Sequence, residues 1–281
     1  VPFSSVDWPG TLSATVFLQG CPWRCPYCHN PDLQDVARCG DVGAAANDLE
    51  WRGIVDLLES RRGLLDGVVF TGGEPTMHRG LGAAIDAVHA MGFGVGLHTS
   101  GCYPAVVERL LREHRPEWIG LDIKADPRDA GAYAEVAYGA ADYGGPRFTP
   151  AQLATGDKVL CSLRMIVGAM SEGTPPLDLE VRTTVWPDSP AVAGLPGIAG
   201  MLADVVSGTP APTPGDDRSS GPSRPALTWA IQKARPDGVS PDAAAAVGFH
   251  VDRAGWAAEF DALVDDARDR LLDHPVTILA R

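Results

Sequence analysis

The feature that most constrains this chain is a repeated order of short β-prone runs and helices, with every polar motif falling where a strand ends. Residues 12–18 (LSATVFL) form the first run and lead through Gly20 into a group of cysteines. A helix is then predicted from an N-cap at Asn47 or Asp48, with Leu49, Ile54, Leu57 and Leu58 near helical spacing and a stop before Gly63. Strands follow at 66–70, 93–99 and 118–124, separated by helices at 81–91 and 104–114, the second opened by Pro104. Such alternation specifies an α/β chain with a parallel sheet and covering helices, either an open sheet or a full or partial barrel. Ligands of such sheets gather beyond the C-terminal strand ends. Cys21 follows the first strand, Thr71 to Pro75 the second, His98 to Gly101 the third, and Asp122 to Lys124 ends the fourth, so all four motifs are expected on one rim.

Beyond Lys124 the pattern weakens. Residues 125–150 show no clear period, 158–170 reads as a helix, 178–186 as a strand, 191–206 as a helix, 226–232 as a sixth strand and 253–272 as a helix. The Pro, Gly and Ser content of 207–225 predicts a mobile loop. At 281 residues the chain is expected to form a single domain, 1–281, with an atypical insert at 125–175. A formal charge of -13 and a pI near 4.8 oppose binding to nucleic acid or an anionic membrane. No apolar run approaches the roughly 18 residues of a spanning helix, and no basic region precedes an apolar stretch at the N-terminus. The expected location is the cytoplasm. VPFSSVDWPG reads as folded sequence from its first residue, which is compatible with a few further residues upstream.

Three of the six cysteines, Cys21, Cys25 and Cys28, lie within eight residues, while Cys39, Cys102 and Cys161 are scattered. A metal site in a reducing compartment suits this spacing better than three disulfides. Three thiolates on one tight loop would leave one iron of a cubane cluster without a protein ligand, free to bind substrate. The competing reading is a zinc knuckle with His29 as fourth ligand, although simultaneous ligation by the neighbours Cys28 and His29 is awkward. Cys39 is a more distant fourth candidate, and Cys102 and Cys161 read as small, partly buried thiols. In Thr71-Gly72-Gly73-Glu74-Pro75, paired glycines let backbone approach a ligand and the carboxylate can accept from an ammonium group; a plain turn is the alternative. Asp122 and Lys124 point to the same side of their strand. Arg182, between Val181 and the apolar Val185, needs a partner if it is buried.

Cys21-x3-Cys25-x2-Cys28, with the aromatic Tyr27 before the last cysteine, resembles the signature of radical S-adenosylmethionine (SAM) enzymes. The strings VDWPG, FLQGCPWRCPYCHNPDL, FTGGEPT and LDIKA are similar to the activating proteins of glycyl radical enzymes, most closely the anaerobic ribonucleoside-triphosphate reductase activating group. The resemblance is dense over residues 3–125 and returns at 180–187. It implies a partial (β/α)6 TIM-like barrel of the radical SAM type. It also implies one [4Fe-4S] cluster on Cys21, Cys25 and Cys28, since no cysteine-rich insert for further clusters separates Cys28 from Thr71. The second cofactor is SAM. Gly72, Gly73 and Glu74 would bind its methionine amino group, and Thr99 and Ser100 would offer hydroxyls to the ribose or methionine portion. Lys124 would lie near it with Asp122 shaping the rim, Arg182 would meet its carboxylate, and Tyr27 would pack beside adenine. Trp23 would cover the cluster. His98 stands where the family more often has an acidic residue, and reads equally as a buried histidine paired to backbone.

The implied activity is reductive cleavage of SAM and removal of hydrogen from a glycine of a partner glycyl radical enzyme, with a flavodoxin- or ferredoxin-like reductant. Two alternatives remain open at this point. One is a radical SAM enzyme acting on a small molecule or peptide, such as a 7-carboxy-7-deazaguanine synthase-like protein, for which 125–175 and 207–225 would shape a different pocket. The other is a zinc-stabilised binding module.

Overall fold

The computed structural model describes residues 1–36, 45–139, 148–171, 173–208, 227–239, 251 and 253–281. Eight strands form one sheet in simple chain order: β1 (Phe3–Ser4), β2 (Ser13–Leu18), β3 (Gly67–Gly72), β4 (Gly94–Thr99), β5 (Trp118–Asp122), β6 (Asp178–Val185), β7 (Leu227–Lys233) and β8 (Val276–Ala280). β1 pairs antiparallel with β2, and every later pair is parallel. Helices cross between parallel strands: α1 (Ala45–Glu59), α2 (Leu81–Ala90), α3 (Pro104–Glu113), α4 (Ala130–Tyr138), the single turn α5 (Pro150–Leu153), α6 (Thr155–Met170), α7 (Pro190–Ser207) and α8 (Trp256–Arg270). Sequential order with parallel crossovers curves the sheet into the expected partial barrel, with β2 to β7 as its six central strands.

Pattern determines this arrangement because the central strands are buried on both faces. Outward residues such as Val68, Phe70, Val95, Leu97, Ile119 and Leu121 meet Ile85, Val88, Val107 and Leu110 of the helices in one continuous core. The inner face is closed at one end by an aromatic plug. Trp8 lies against β3 and β4 where Gly67, Gly94 and Gly96 have no side chain; a Cβ at these positions would stand 2.8, 3.1 and 3.1 Å from its ring. Its ring stacks on Trp118 at 6.2 Å between centroids, and the Asp7 carboxylate accepts the Thr15 hydroxyl of β2 at 2.7 Å. The VDWPG string therefore builds the floor beneath the site.

Several expectations need correction. α1 begins at Ala45, ahead of the predicted cap at Asn47 or Asp48. Residues 125–150, read as patternless, contain α4, whose Tyr133, Ala134, Val136 and Ala137 are all buried. The Asp129 side chain caps it by accepting from the Ala132 amide. β8 went unpredicted and extends the parallel run beyond six strands. α7 is long and apolar enough, by length and composition alone, to cross a membrane, contrary to the reading that no run approached that length. In this fold it packs on α4 and α8, burying Leu195, Ile198, Met201 and Leu202. Ser207 and Gly208 end that helix; the rest of the loop predicted at 207–225, like Cys39, lies outside the described residues.

β8 is joined to the barrel by charge as well as by its ladder. Arg281 donates Nη1 to Glu180 Oε1 at 2.8 Å and Nη2 to Oε2 at 2.7 Å, and Glu180 is only 3% exposed. Removing one partner of such a pair strands a buried charge. We expect Arg281→Ala to lower urea-unfolding stability by about 3 kcal/mol, and Glu180→Gln in the same background to recover most of it; an unchanged midpoint in the single variant would contradict the pairing.

Candidate radical site

Ends of the parallel strands surround a cavity of about 450 Å³, within the range of small-molecule and cofactor sites. The twelve residues that the sequence assigned to binding the cluster or SAM all border it: Cys21, Cys25, Tyr27 and Cys28 from the loop after β2, Gly72 at the end of β3 with Gly73 and Glu74 after it, Thr99 at the end of β4 with Ser100 after it, Asp122 at the end of β5 with Lys124 beyond it, and Arg182 on β6. No described residue of the insert 125–175 lines it. The described part of that insert instead supports the cysteine loop from behind. The Arg24 amide and the Cys25 thiol both donate to the Ala137 carbonyl of α4, at 2.8 and 3.7 Å. Trp23 is buried edge-on against Tyr133 and Tyr138.

The glycine pair has a more specific task than admitting a ligand. Gly72 has φ +111, and a Cβ there would fall 2.4 Å from the Leu18 nitrogen; one at Gly73 would fall 2.1 Å from the Gly20 carbonyl oxygen. Their backbone thus presses on the strand that precedes Cys21, held by Gly73 N–H to Leu18 O and Glu74 N–H to Gly20 O, both 2.8 Å. Expected to admit a ligand, the close approach is made to the protein's own chain.

Glu74 makes comparable contacts within the protein. Its side chain is buried, and its carboxylate accepts from the Thr76 amide and hydroxyl, the Thr99 hydroxyl, and the Ser100 amide and hydroxyl. Five donors surround the two oxygens and tie the loops after β3 and β4 together, while Glu74 still borders the cavity. Thr99 and Ser100 give their hydroxyl hydrogens to Glu74, and the Thr99 oxygen accepts the Gly101 amide at 3.0 Å, so any further hydrogen bond from these hydroxyls is as acceptors.

On the next two strands, Asp122 holds two cations. Lys124 Nζ donates to Oδ2 at 2.8 Å, and Arg182 Nε to Oδ1 at 2.9 Å while its Nη2 reaches the Gly120 carbonyl at 3.3 Å. Burial works to raise the Asp122 carboxyl, but Arg182 and Lys124 outweigh it and hold it well below the usual carboxylate range. Burial likewise works against the charge on Lys124, yet Asp122, followed by Tyr27 and Cys25, keeps it above its ordinary value. The trio carries one net positive charge, suited to a ligand carboxylate. Lys124 Nζ also stands 5.0 Å from the Tyr27 ring centroid, and that ring tilts against Trp186 at 5.4 Å.

His98 borders the cavity and is held through both ring nitrogens. Its Nε2 faces the Asp7 carbonyl at 2.8 Å, which can only accept, so that nitrogen carries the hydrogen and Nδ1 accepts from the Thr71 hydroxyl at 3.1 Å. The Trp118 ring lies 5.3 Å away.

The donor set fits an iron–sulfur cluster. All three cysteines are free thiols on one cavity wall, and soft thiolates select such clusters or zinc. Among the described residues no group of three or more His, Cys, Asp or Glu side chains is gathered to hold a single metal ion. A cluster instead takes its thiolates around its perimeter. Burial pushes the Cys21 thiol up to about 12 and the Cys25 thiol up to about 11. A bound cluster would reverse that preference, because Cys21, Cys25 and Cys28 would hold it as thiolates and give up their protons.

Cavity residues that sequence reasoning missed are Val6, Asn30 and Gln34 from the first part of the chain, and Glu180, Thr184, Gln232, Lys233, Arg235 and Arg281 on or just after the later strands. Glu180 and Thr184 were accessible in principle, as they flank Arg182 at the two-residue spacing of one strand face.

Burial, and after it Arg182, pushes the His98 imidazole down to about 3, against the pull of the Asp7 carbonyl and the Asp122 and Asp7 carboxylates. Unfolding below the ordinary value of 6.5 therefore takes up a proton that the folded state refuses. Stability should fall as pH drops from 6.5 toward 3, by up to ~1.4 kcal/mol per pH unit. The urea midpoint of His98→Asn should fall less steeply than that of the wild type over this window; equal slopes would contradict the assignment.

Comparison with known proteins agrees with this geometry. Residues 15–141 match the family described as the Radical SAM superfamily. A protein of Methanocaldococcus jannaschii whose name designates it a candidate glycyl-radical enzyme activating enzyme is 31% identical over 128 residues, 44% of this chain and 48% of that protein. The pyruvate formate-lyase-activating enzyme of Streptococcus mutans is 32% identical over 98 residues, 35% of each chain. The matches thus span half or less of these relatives' lengths. In fold, the chain is similar to Streptococcus suis SuiB, solved bound to S-adenosylmethionine, with a TM-score of 0.58 at 9% identity over 96% of this chain and 50% of that one. Residues 15–141, somewhat under half of the chain, are thus similar in sequence to the Radical SAM superfamily, which implies a [4Fe-4S] cluster and SAM as cofactors, and the fold is similar to that of SuiB.

Proposed function

We propose that this protein is an activating enzyme that cleaves SAM reductively and takes hydrogen from a glycine Cα of a partner glycyl radical enzyme, of the anaerobic ribonucleoside-triphosphate reductase type. The observation that carries the reading is the convergence of Cys21, Cys25 and Cys28 with Glu74, Thr99, Ser100, Asp122, Lys124 and Arg182 on one cavity. Relatives named for glycyl radical enzyme activation support the partner class.

Cys21, Cys25 and Cys28 would hold the cluster. When bound, the cluster supplies the electron that breaks the sulfonium carbon–sulfur bond of SAM, giving methionine and the hydrogen-abstracting 5'-deoxyadenosyl fragment. The protein's own work is orientation. Thr99 and Ser100 present acceptor oxygens toward the SAM ammonium or ribose, the Asp122–Lys124–Arg182 trio presents positive charge to its carboxylate, and the Tyr27 ring forms a wall for adenine. Glu74 keeps these loops fixed, so orientation is built in before binding. A flavodoxin- or ferredoxin-like protein would deliver the electron.

Anaerobic incubation with SAM, reduced flavodoxin and an anaerobic ribonucleotide reductase should generate a glycyl radical EPR signal on the reductase, and Cys28→Ala should abolish it. Formation of 5'-deoxyadenosine without any radical on that partner would redirect the reading to a small molecule or peptide substrate.

A further inference from the structure

Arg24 is the charged residue between the first two cysteines of the cluster loop, and its guanidinium is turned back onto that loop. Nη1 donates to the Cys21 carbonyl at 2.9 Å and to the Trp23 carbonyl at 2.8 Å. Its backbone is held as firmly. The Arg24 amide donates to the Ala137 carbonyl of α4 at 2.8 Å, and a Cβ on Gly139 would lie 3.6 Å from the Arg24 carbonyl oxygen. Pro22 and Pro26, on either side, have no N–H with which to close the loop. The Arg24 side chain therefore bridges the Cys21–Cys25 segment where backbone donors are missing.

Cys21, Trp23 and Cys25 border the cavity and Arg24 does not, which puts the guanidinium on the outer side of the loop. Among the described residues no carboxylate pairs with it, whereas Lys124, Arg182 and Arg281, which do border the cavity, each have one. The charge is thus fixed in place and left uncompensated. The Cys21 carbonyl oxygen and Sγ belong to one residue, so Nη1 lies within roughly 8 Å of that sulfur.

That placement decides what the charge acts on. A cubane held by three thiolates is an anion, and an added electron deepens its charge; the potential of such clusters follows the net charge and hydrogen bonding around them. A chain of net charge -13 opposes the added electron. A guanidinium pinned beside two ligating cysteines favours it.

We propose that Arg24 is a positioning residue that acts through the cysteine loop, and that its fixed charge raises the reduction potential of the cluster so that a reductant can load the electron. The proposal rests on a cluster at Cys21, Cys25 and Cys28 and is independent of which substrate is attacked.

The test is the midpoint potential of reconstituted protein, measured anaerobically without SAM by EPR-monitored titration at about 0.05 M and about 1 M salt. Arg24→Gln should bind the electron about fivefold less tightly than the wild type at low salt, a fall of about 40 mV for a one-electron couple. The difference should shrink to about twofold or less at high salt, because an exposed charge is screened. Arg24→Lys, which keeps the charge, should stay near the wild type. Equal potentials in wild type and Arg24→Gln, a fall in Arg24→Lys as large as in Arg24→Gln, or a difference insensitive to salt would overturn the proposal. Arg24→Met provides a second neutral variant; loss of the cluster in both would also overturn it, since the residue would then serve assembly rather than reduction. A wild type that takes up no iron would contradict the cluster itself, and the proposal with it.

Discussion

The site depends on one buried carboxylate. Glu74 sits at the turn after β3 with almost no exposure, and an ionised carboxylate in that position costs several kcal/mol unless its oxygens are filled. Thr76, Thr99 and Ser100 fill them, and in doing so clamp the turn after β3 to the turn after β4. The same turn bonds through Gly73 and Glu74 amides to Leu18 and Gly20, immediately before Cys21. Three strand ends are therefore fixed relative to one another by one residue.

A second carboxylate repeats the device on the next two strands. Asp122 gathers Lys124 and Arg182, and a Cβ at Gly120 would strike the Arg182 guanidinium at 3.0 Å, so the glycine is what lets the arginine lie flat across β5. Beneath both groups, His98 and Asp7 connect the barrel wall to the Trp8 plug. The interior is polar at the rim and aromatic at the floor. That gradient gives a ligand one way to enter and a set of oriented charges to meet it.

Much of this was legible in the chain. Parallel strands buried on both faces read as apolar runs, and the motifs after them read as rim residues because connections in such sheets are short and of one hand. Partners distant in sequence were harder to see. Nothing local joins Glu74 to Ser100, and the three glycines that admit Trp8 lie on two strands, each unremarkable in its own window. α4 escaped because it is short and Ala-rich, with Tyr133, Ala134, Val136 and Ala137 buried, so no polar face marked its period. β8 escaped because VTILA follows the last helix as a brief β-branched tail, and its pairing with β7 is a tertiary fact. Missing β8 also hid the Arg281 half of the Glu180 pair.

The central claim is that Cys21, Cys25 and Cys28 hold one cluster at the mouth of this barrel. Its most direct test is anaerobic reconstitution with iron and sulfide, followed by reduction, addition of SAM, and measurement of both iron content and 5'-deoxyadenosine. The account predicts about four irons per chain and 5'-deoxyadenosine formation, with both lost in Cys25→Ala. Retention of either in that variant, or stoichiometric zinc with no iron uptake in the wild type, would contradict it.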